Sequence, residues 1–236
     1  MIACETSPKQ ARFELVDQGY QYTEDGFIES IKRSDYSAIS LFILAGINPN
    51  SIRRGYSTLE YAASDSTALS ILLLGGANPN ITGGVTTPLI EAIKNGSIKE
   101  VDLLIKNGAN SNGRDAVGDT PLMAASKIGA IGIVELLIEN GAQVNTISKL
   151  GTTALSMANN SGHSAIVKKL IAIGARSYSK PDLQTLSKPE KLHKQSPAEF
   201  DAEFKTSKGG FRVKIVRAWA PRAADRFYTL LHHGFF

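Results

Sequence analysis

Val117–Asn145 reads VGDTPLMAASKIGAIGIVELLIENGAQVN and carries the start and stop signals of two short helices. Thr120 can cap the first helix through its hydroxyl, and Pro121 follows where a missing N–H costs little. Gly129 ends this helix, and Gly141 can take the left-handed conformation that ends the second one. The stretch therefore predicts a helix, a turn, a second helix and a loop.

Each of these two helices has an apolar stripe at helical spacing. The first stripe is Leu122, Ala125 and Ile128, and the second is Ile131, Val134, Leu137 and Ile138. Helices of this length are not stable alone in water. The stripes must therefore be buried against neighbouring copies of the same unit.

Two markers of the unit recur along the chain in one register. The leucine of the first helix recurs at residues 59, 89, 122 and 155, and a weaker first copy has Phe27 in its place. The closing glycine recurs at residues 46, 76, 108, 141 and 174, in steps of 30, 32, 33 and 33, and the leucine recurs in steps of 30, 33 and 33. A period of this length indicates a repeat architecture.

The repeated motifs resemble the ankyrin repeat over roughly residues 22–177. They are Thr87-Pro88-Leu89 and Thr120-Pro121-Leu122, and at the far end of the unit Gly76-Ala77-Asn78-Pro79-Asn80, Gly108-Ala109-Asn110-Ser111-Asn112 and Gly141-Ala142-Gln143-Val144-Asn145. The resemblance implies a mainly α fold, a helical solenoid of about five helix–turn–helix units. The family often has His after Thr-Pro-Leu, and here the position holds Glu60, Ile90, Met123 and Ser156. We expect the hydrogen bonds of that histidine to be absent or replaced.

The pattern divides the chain into successive segments. We predict a capping helix in residues 1–21, an ankyrin array in 22–177, a linker in 178–198 and a β–β–α segment in 199–236. The expected repeats are 22–50, 51–80, 81–112, 113–145 and 146–177. In the capping helix we take Ala11, Phe13, Leu15 and Val16 as apolar positions, and we interpret Phe13 as a core residue rather than a partner-binding anchor.

Charge and composition exclude several classes of function. The net charge is +4, but residues 1–177 hold 15 Lys/Arg against 16 Asp/Glu, and residues 178–236 hold 11 against 6. An array that binds nucleic acid would need a basic face, so we do not expect this array to bind nucleic acid. No apolar run is long enough to cross a bilayer, and Cys4 is the single cysteine. We expect a cytoplasmic, monomeric protein without a membrane segment, cofactor or metal.

No constellation in the array predicts an enzyme, and we expect no catalytic residue there. Glu135 and Glu139 lie one turn apart on a helix, which is common on solvated faces. Gly83-Gly84 before a helix is compatible with a phosphate cradle, but no Gly-x-x-x-x-Gly-Lys follows, so we favour a turn. His163 follows Gly162, as in many ankyrin repeats, and no second ligand shares a metal spacing with it, so we expect a structural role.

The period changes to two after the linker. Phe200, Ala202 and Phe204 alternate with charged residues, Lys208-Gly209-Gly210 predicts a turn, and Phe211, Val213 and Ile215 alternate again. Ala220-Pro221 then opens a helix. Residues 204–211, 219–221, 224–230 and 234–236 are similar to the start of bacterial cyclophilin domains, which are prolyl cis–trans isomerases. The resemblance covers two strands and one helix of that barrel, so we expect the isomerase to be incomplete in this chain.

The first functional hypothesis is a protein–protein interaction module that binds another protein on a concave face of hairpin tips and first helices. The alternative is the targeting arm of an ankyrin–cyclophilin fusion, and a third reading is that the C-terminal strands pair with another chain. The arginines at the tips favour a partner with an acidic segment, and exposed aromatic and Arg residues are typical contacts, which favours Tyr56 and Arg114. The tip residues are Arg53, Arg54, Tyr56, Val85, Arg114, Asp115, Val117, Lys149 and Leu150.

Overall fold

The computed structural model describes residues 7–176 and the backbone of residues 199–206 and 209–216. The chain divides into two compact units, Met1–Tyr178 and Ser179–Phe236. The described part of Met1–Tyr178 is mainly helical, with eleven α-helices and one short antiparallel sheet of two strands, β1 (Ile52–Arg53) and β2 (Tyr56–Ser57). The sequence prediction of a mainly α protein is therefore confirmed.

The helices follow one another as a first and a second helix joined by a tight turn. After α1 (Pro8–Asp17), the first helices are α2 (Glu24–Lys32), α4 (Thr58–Tyr61), α6 (Pro88–Lys94), α8 (Pro121–Ile128) and α10 (Ala154–Asn160). The second helices are α3 (Tyr36–Leu44), α5 (Ser66–Leu74), α7 (Ile98–Lys106), α9 (Ile131–Glu139) and α11 (Ser164–Ala172).

Every first helix begins at a Thr or Ser whose hydroxyl accepts a hydrogen bond from the backbone three residues later. At Thr120, as predicted, the bond comes from the Met123 N–H and measures 3.4 Å. Such caps satisfy one of the N–H groups that a helix start leaves without a partner. The caps are Thr23, Ser57, Thr87, Thr120 and Thr153.

One asparagine side chain per unit joins each unit to the next. The Asn112 amide donates to the Gly141 carbonyl at 3.0 Å, and its oxygen accepts from the Gln143 N–H at 2.7 Å. The other members of this asparagine ladder make the same two bonds, one to a Gly carbonyl and one to a backbone N–H two residues further on; they are Asn50, Asn80 and Asn145. The ladder fixes the register between consecutive units.

The core follows the repeated apolar positions with exceptions at the helix ends. Leu122, Val134 and Leu137 are buried, as predicted from the stripes. Ile128 and Ile131 are 40 % and 39 % exposed, so their prediction as core residues is wrong. They are the last residue of α8 and the first residue of α9, which flank the turn. Ile133, next to Val134 on the packed face, is buried instead.

Helix α1 packs against α3 through Ala11 and Leu15, which are both fully buried. The predictions that Phe13 and Val16 belong to the core are wrong, because these side chains are 63 % and 62 % exposed. Ala11 and Leu15 are four residues apart and share one side of the helix, whereas Phe13 lies about 200° around the axis from Ala11.

Four of the five turns between first and second helices contain a residue with positive φ. Gly129 ends α8 at φ +80°, as predicted, and a Cβ there would lie 2.5 Å from the His163 ring. The ring nitrogen Nε2 of His163 lies 3.1 Å from the Lys127 carbonyl, which fits the predicted structural role. The second repeat, which contains α4 and α5, lacks this glycine. Its α4 ends at Tyr61, and Asp65 caps α5 and accepts a bond of 2.7 Å from Ser34.

The C-terminal compact unit, Ser179–Phe236, contains the antiparallel hairpin that the alternating pattern predicted. Strand β3 (Glu199–Thr206) pairs with β4 (Gly209–Val216), and the register sets Phe204 opposite Phe211 and Ala202 opposite Val213. Gly209 and Gly210 lie in β4, so the prediction that they form a turn with Lys208 is wrong for these two glycines. Residues 207 and 208, the predicted helix from Ala220 and the predicted linker lie outside the described residues.

No helix in residues 7–176 has the length and apolar character needed to cross a membrane. This finding concerns only the part of the chain that the structure describes.

We predict that Asn112→Ala lowers the free energy of unfolding by about 1–2 kcal/mol, because it removes two inter-unit hydrogen bonds of ordinary strength. Urea unfolding followed by circular dichroism at 222 nm measures this change. The matched control is Asn95→Ala, since Asn95 is an exposed C-cap residue whose side chain bonds to nothing in residues 7–176. Equal losses in the two variants would contradict a role of the ladder in stability.

Candidate protein-interaction face

The hairpin tips of the array form one continuous edge. The Ala116 N–H donates to the Val85 carbonyl at 3.2 Å, and the Lys149 N–H donates to the Val117 carbonyl at 3.1 Å. Gly83 lies so close to Gly55 that a Cβ on it would come within 2.1 Å of the Gly55 oxygen. The structure therefore brings the nine predicted site residues to one edge of the array, which we call the tip edge.

The close contact at Gly83 also decides between the two interpretations of the double glycine. Gly83 provides space for the neighbouring tip, and Gly84 adopts φ +94°, which suits a turn. These two roles account for both glycines, and neither involves a phosphate.

The first tip is a two-residue β-hairpin. Strand β1 (Ile52–Arg53) pairs with β2 (Tyr56–Ser57), and Arg53 lies opposite Tyr56. Arg54 and Gly55 form the turn with φ +52° and +80°. Turns with two positive φ values favour Asn-Gly or Gly-Gly, and an Arg in the left-handed region costs about 1–2 kcal/mol. A large cationic residue occupies a position where the backbone prefers Asn or Gly.

Several charged tip residues already have partners inside the array. Arg53 makes a bidentate pair with the Asp25 carboxylate, with contacts of 2.6–2.8 Å, and this carboxylate raises the pKa of Arg53. Arg114 donates to the Ile147 carbonyl at 3.0 Å, and the Lys149 ammonium donates to the Ala116 carbonyl at 2.9 Å. Asp115 accepts from two N–H groups of its own turn. These side chains stabilise the tips themselves.

Other tip residues leave apolar surface open to solvent. Val85, Val117 and Leu150 are 46 %, 43 % and 68 % exposed. Ile52 and Ile147 are exposed beside them, and the sequence analysis did not include either residue. Tyr56 is half-buried, with its ring 5.9 Å from the Tyr61 ring. The tip edge thus combines aliphatic side chains with cationic ones.

A cavity of about 440 Å³ opens where the first tip meets α2. Sequence reasoning missed it because its residues come from two units whose distance apart only folding decides. The Arg54-Gly55 pair is a sequence signal that could have indicated an unusual turn beside it. The cavity is lined by Asp25, Ile28, Glu29, Lys32, Arg33, Arg53, Arg54 and Tyr61.

The described residues contain no group of three His, Cys, Asp or Glu side chains arranged to hold a metal ion. Glu135, which shares a helix face with Glu139, pairs instead with Lys169 of the next unit at 2.8 Å.

The repeat pattern seen in the sequence and in the helices also identifies the family. The family model described as ankyrin repeats (3 copies) matches residues 59–148 and 89–182, which together make up more than half of the 236 residues. The chain belongs to the ankyrin repeat family. Ankyrin repeats generally mediate protein–protein interactions rather than catalysis. The comparison with curated proteins found no match.

The residues that stand where the family often has His divide into two kinds. Ile90 and Met123 are apolar and only 1 % exposed, so they add to the core. Ser156 and Glu60 instead accept hydrogen bonds from the backbone N–H of their own N-cap residues, Thr153 at 2.8 Å and Ser57 at 2.5 Å. The expected hydrogen bonds are therefore replaced in two units and absent in the other two.

Two carboxylates on this side of the array each have a buried oxygen that accepts no hydrogen bond from the described residues: Oε1 of Glu60 and Oδ1 of Asp119. Burial raises the pKa of Glu60, and the nearby charge of Glu91 adds to the shift. Burial also raises the pKa of Asp119, with a contribution from Asp115. In both cases the folded protein disfavours the charged form.

We predict that Glu60→Gln raises Tm by about 2–4 °C at pH 8, which corresponds to roughly 1 kcal/mol for a chain of this size. Gln can still accept the Ser57 N–H bond, and it removes a charge that burial penalises. Because the pKa of Glu60 is raised, its favourable contribution is complete below its ordinary pKa and is lost as the pH rises through the raised value. The gain in Tm should therefore shrink towards pH 4.

Calorimetric melting curves at pH 4 and pH 8 measure this difference. Glu14→Gln is the control, because Glu14 lies in α1 and forms no salt bridge within residues 7–176. A gain of the same size at both pH values would show that the buried charge is not its cause.

Proposed function

We propose that this protein is an interaction module that binds a protein partner on a concave face, formed by the tip edge and the first helices. The observation that carries the proposal is the continuous tip edge, where Val85, Val117 and Leu150 expose aliphatic surface on a backbone that hydrogen bonds hold in place. A fixed backbone with exposed apolar side chains lowers the entropy cost of binding. The rim of cationic residues favours a partner with an acidic segment.

We further propose that the array consists of five repeats, residues 22–50, 51–80, 81–112, 113–145 and 146–177, with α1 covering the first of them. Five capped first helices, and four ladder asparagines that are 30–33 residues apart, support this count. The burial of Ala11 and Leu15 against α3 supports the role of α1. We also propose that the protein is a monomer and that it lies in the cytoplasm, where its single cysteine stays reduced.

The alternative function is the targeting arm of an ankyrin–cyclophilin fusion. The antiparallel β3–β4 hairpin supports it, since its register sets Phe204 opposite Phe211, the first and last residues of the first stretch on which the resemblance rests. In that case the array would bring proline-containing clients to an isomerase domain, and this segment would be the beginning of that domain.

To test the interaction face, a photo-crosslinking amino acid is placed at Leu150 in the full chain expressed in its own cells. We expect protein adducts from this position, because the exposed side chain lies on the proposed face. The matched control is Leu74, which is 89 % exposed at the end of α5 and not on the tip edge. Adducts of equal yield at Leu74, or none at Leu150, would contradict the proposed face.

For the alternative, we predict that the 236-residue chain does not accelerate prolyl isomerisation, because two strands and a helix cannot close the barrel on which this activity depends. A protease-coupled assay with a proline-containing peptide compares the rate with and without the protein. The uncatalysed reaction takes tens to hundreds of seconds, so a modest acceleration is measurable. A rate above the uncatalysed one that rises with protein concentration would refute the prediction.

A further inference from the structure

The cavity beside the first tip is lined by an excess of positive charge. It has four cationic side chains, Lys32, Arg33, Arg53 and Arg54, and two carboxylates, Asp25 and Glu29. The lining therefore carries a formal charge of +2. A cavity with fixed charge of one sign concentrates ions of the other sign at its mouth.

The two carboxylates neutralise two particular cations. Asp25 holds Arg53 at 2.6 Å, and Glu29 holds Arg33 at 2.5 Å. Neither Lys32 nor Arg54 forms a salt bridge within residues 7–176. The excess positive charge thus belongs to these two side chains, which reach the cavity from α2 and from the first tip.

The two cations are presented in different ways. The Lys32 ammonium lies 4.7 Å from the centre of the Tyr61 ring, a distance that allows a cation–π interaction, and it forms no hydrogen bond or salt bridge within residues 7–176. The Tyr61 hydroxyl in turn donates to the Arg53 carbonyl at 2.9 Å, which ties the ring to the tip. Arg54 is itself a turn residue, and its φ of +52° is a conformation that Asn or Gly would adopt with less strain. Strained backbone of this kind occurs mainly at functional sites.

We propose that this cavity binds a phosphorylated side chain of a partner peptide, with the phosphate between Lys32 and Arg54. This inference rests on the proposed function and names the chemistry that the first part of the face recognises. A phosphate carries close to two negative charges at neutral pH, which matches the +2 lining, whereas a Glu or Asp side chain would compensate only half of it. The guanidinium of Arg54 can form two parallel bonds to phosphate oxygens. The buried Ile28 supplies apolar surface for the stem of the ligand side chain.

The experiment uses the full ¹⁵N-labelled chain and three acetylated, amidated tripeptides: Ala–phosphoserine–Ala, Ala–Glu–Ala and Ala–Ser–Ala. NMR titration at low salt follows the backbone amides of Gly55 and Tyr56. We expect the phosphorylated peptide to bind about tenfold more tightly than the Glu peptide, and the Ser peptide not to bind. Lowering the pH from 7.5 to 5 should weaken the phosphopeptide, because its second ionisation lies near pH 6.

Two variants test the site itself. Arg54→Asn removes the guanidinium and relieves the turn, so we expect an unchanged or higher Tm together with a loss of about tenfold in phosphopeptide affinity. Arg114→Asn removes a cation from another tip and should leave the affinity unchanged. Lys32→Gln is a second test on a helix residue and should weaken binding without affecting the turn.

The proposal is overturned if the phosphorylated and Glu peptides bind equally, if Arg54→Asn binds like the original chain, or if Arg114→Asn loses as much affinity as Arg54→Asn. This result is separate from the test of the face, since crosslinking at Leu150 does not depend on the cavity. Adducts at Leu150 without phosphopeptide binding would reject the phosphate site and leave the interaction face in place. Binding of the phosphopeptide without adducts at Leu150 would reject the interaction face and leave the phosphate site in place.

Discussion

The structure depends on a side-chain bridge that recurs once in each unit. An asparagine amide has one donor group and one acceptor oxygen in a fixed plane, so it can bond to a carbonyl and an N–H of the same neighbouring loop. Asn50, Asn80, Asn112 and Asn145 use this geometry at intervals of 30–33 residues. Each helix is too short to be stable alone, and the ladder holds consecutive helix pairs in the register that buries their apolar stripes.

This division of tasks leaves the tip edge free to vary. The ladder, the N-caps and the buried leucines hold the backbone, and the backbone bonds between tips extend that order to the edge. The tip side chains can then change without loss of the fold, which is why fold alone does not identify a partner. Arg54 and Glu60 lie at the same end of the array, and we expect both to lower the stability of the fold. One is a strained Arg in a turn, and the other is a carboxylate with a buried oxygen that accepts no hydrogen bond from residues 7–176.

Sequence reasoning succeeded where a residue acts through its own backbone or through an exact repeat. Thr120, Gly129 and Gly141 were assigned correctly, because capping and positive φ are local properties. It failed at the ends of helices. Ile128 and Ile131 have apolar side chains at approximately helical spacing, but whether such a side chain is covered depends on how far the neighbouring helix extends. Spacing gives the side of a helix and not the length of its neighbour.

The sequence by itself determined the class of fold and the caps of the first helices, because these follow from a period of about 33 residues and from local signals that need no knowledge of distant contacts. It also placed the candidate residues on hairpin tips. Only the tertiary structure decided which of those residues are free. Arg53, Arg114 and Lys149 bond to groups 28 to 33 residues away in the chain, whereas Arg54 lines a cavity with Lys32. Charges from separate units meet only after stacking, so their pairing cannot be read from the order of residues.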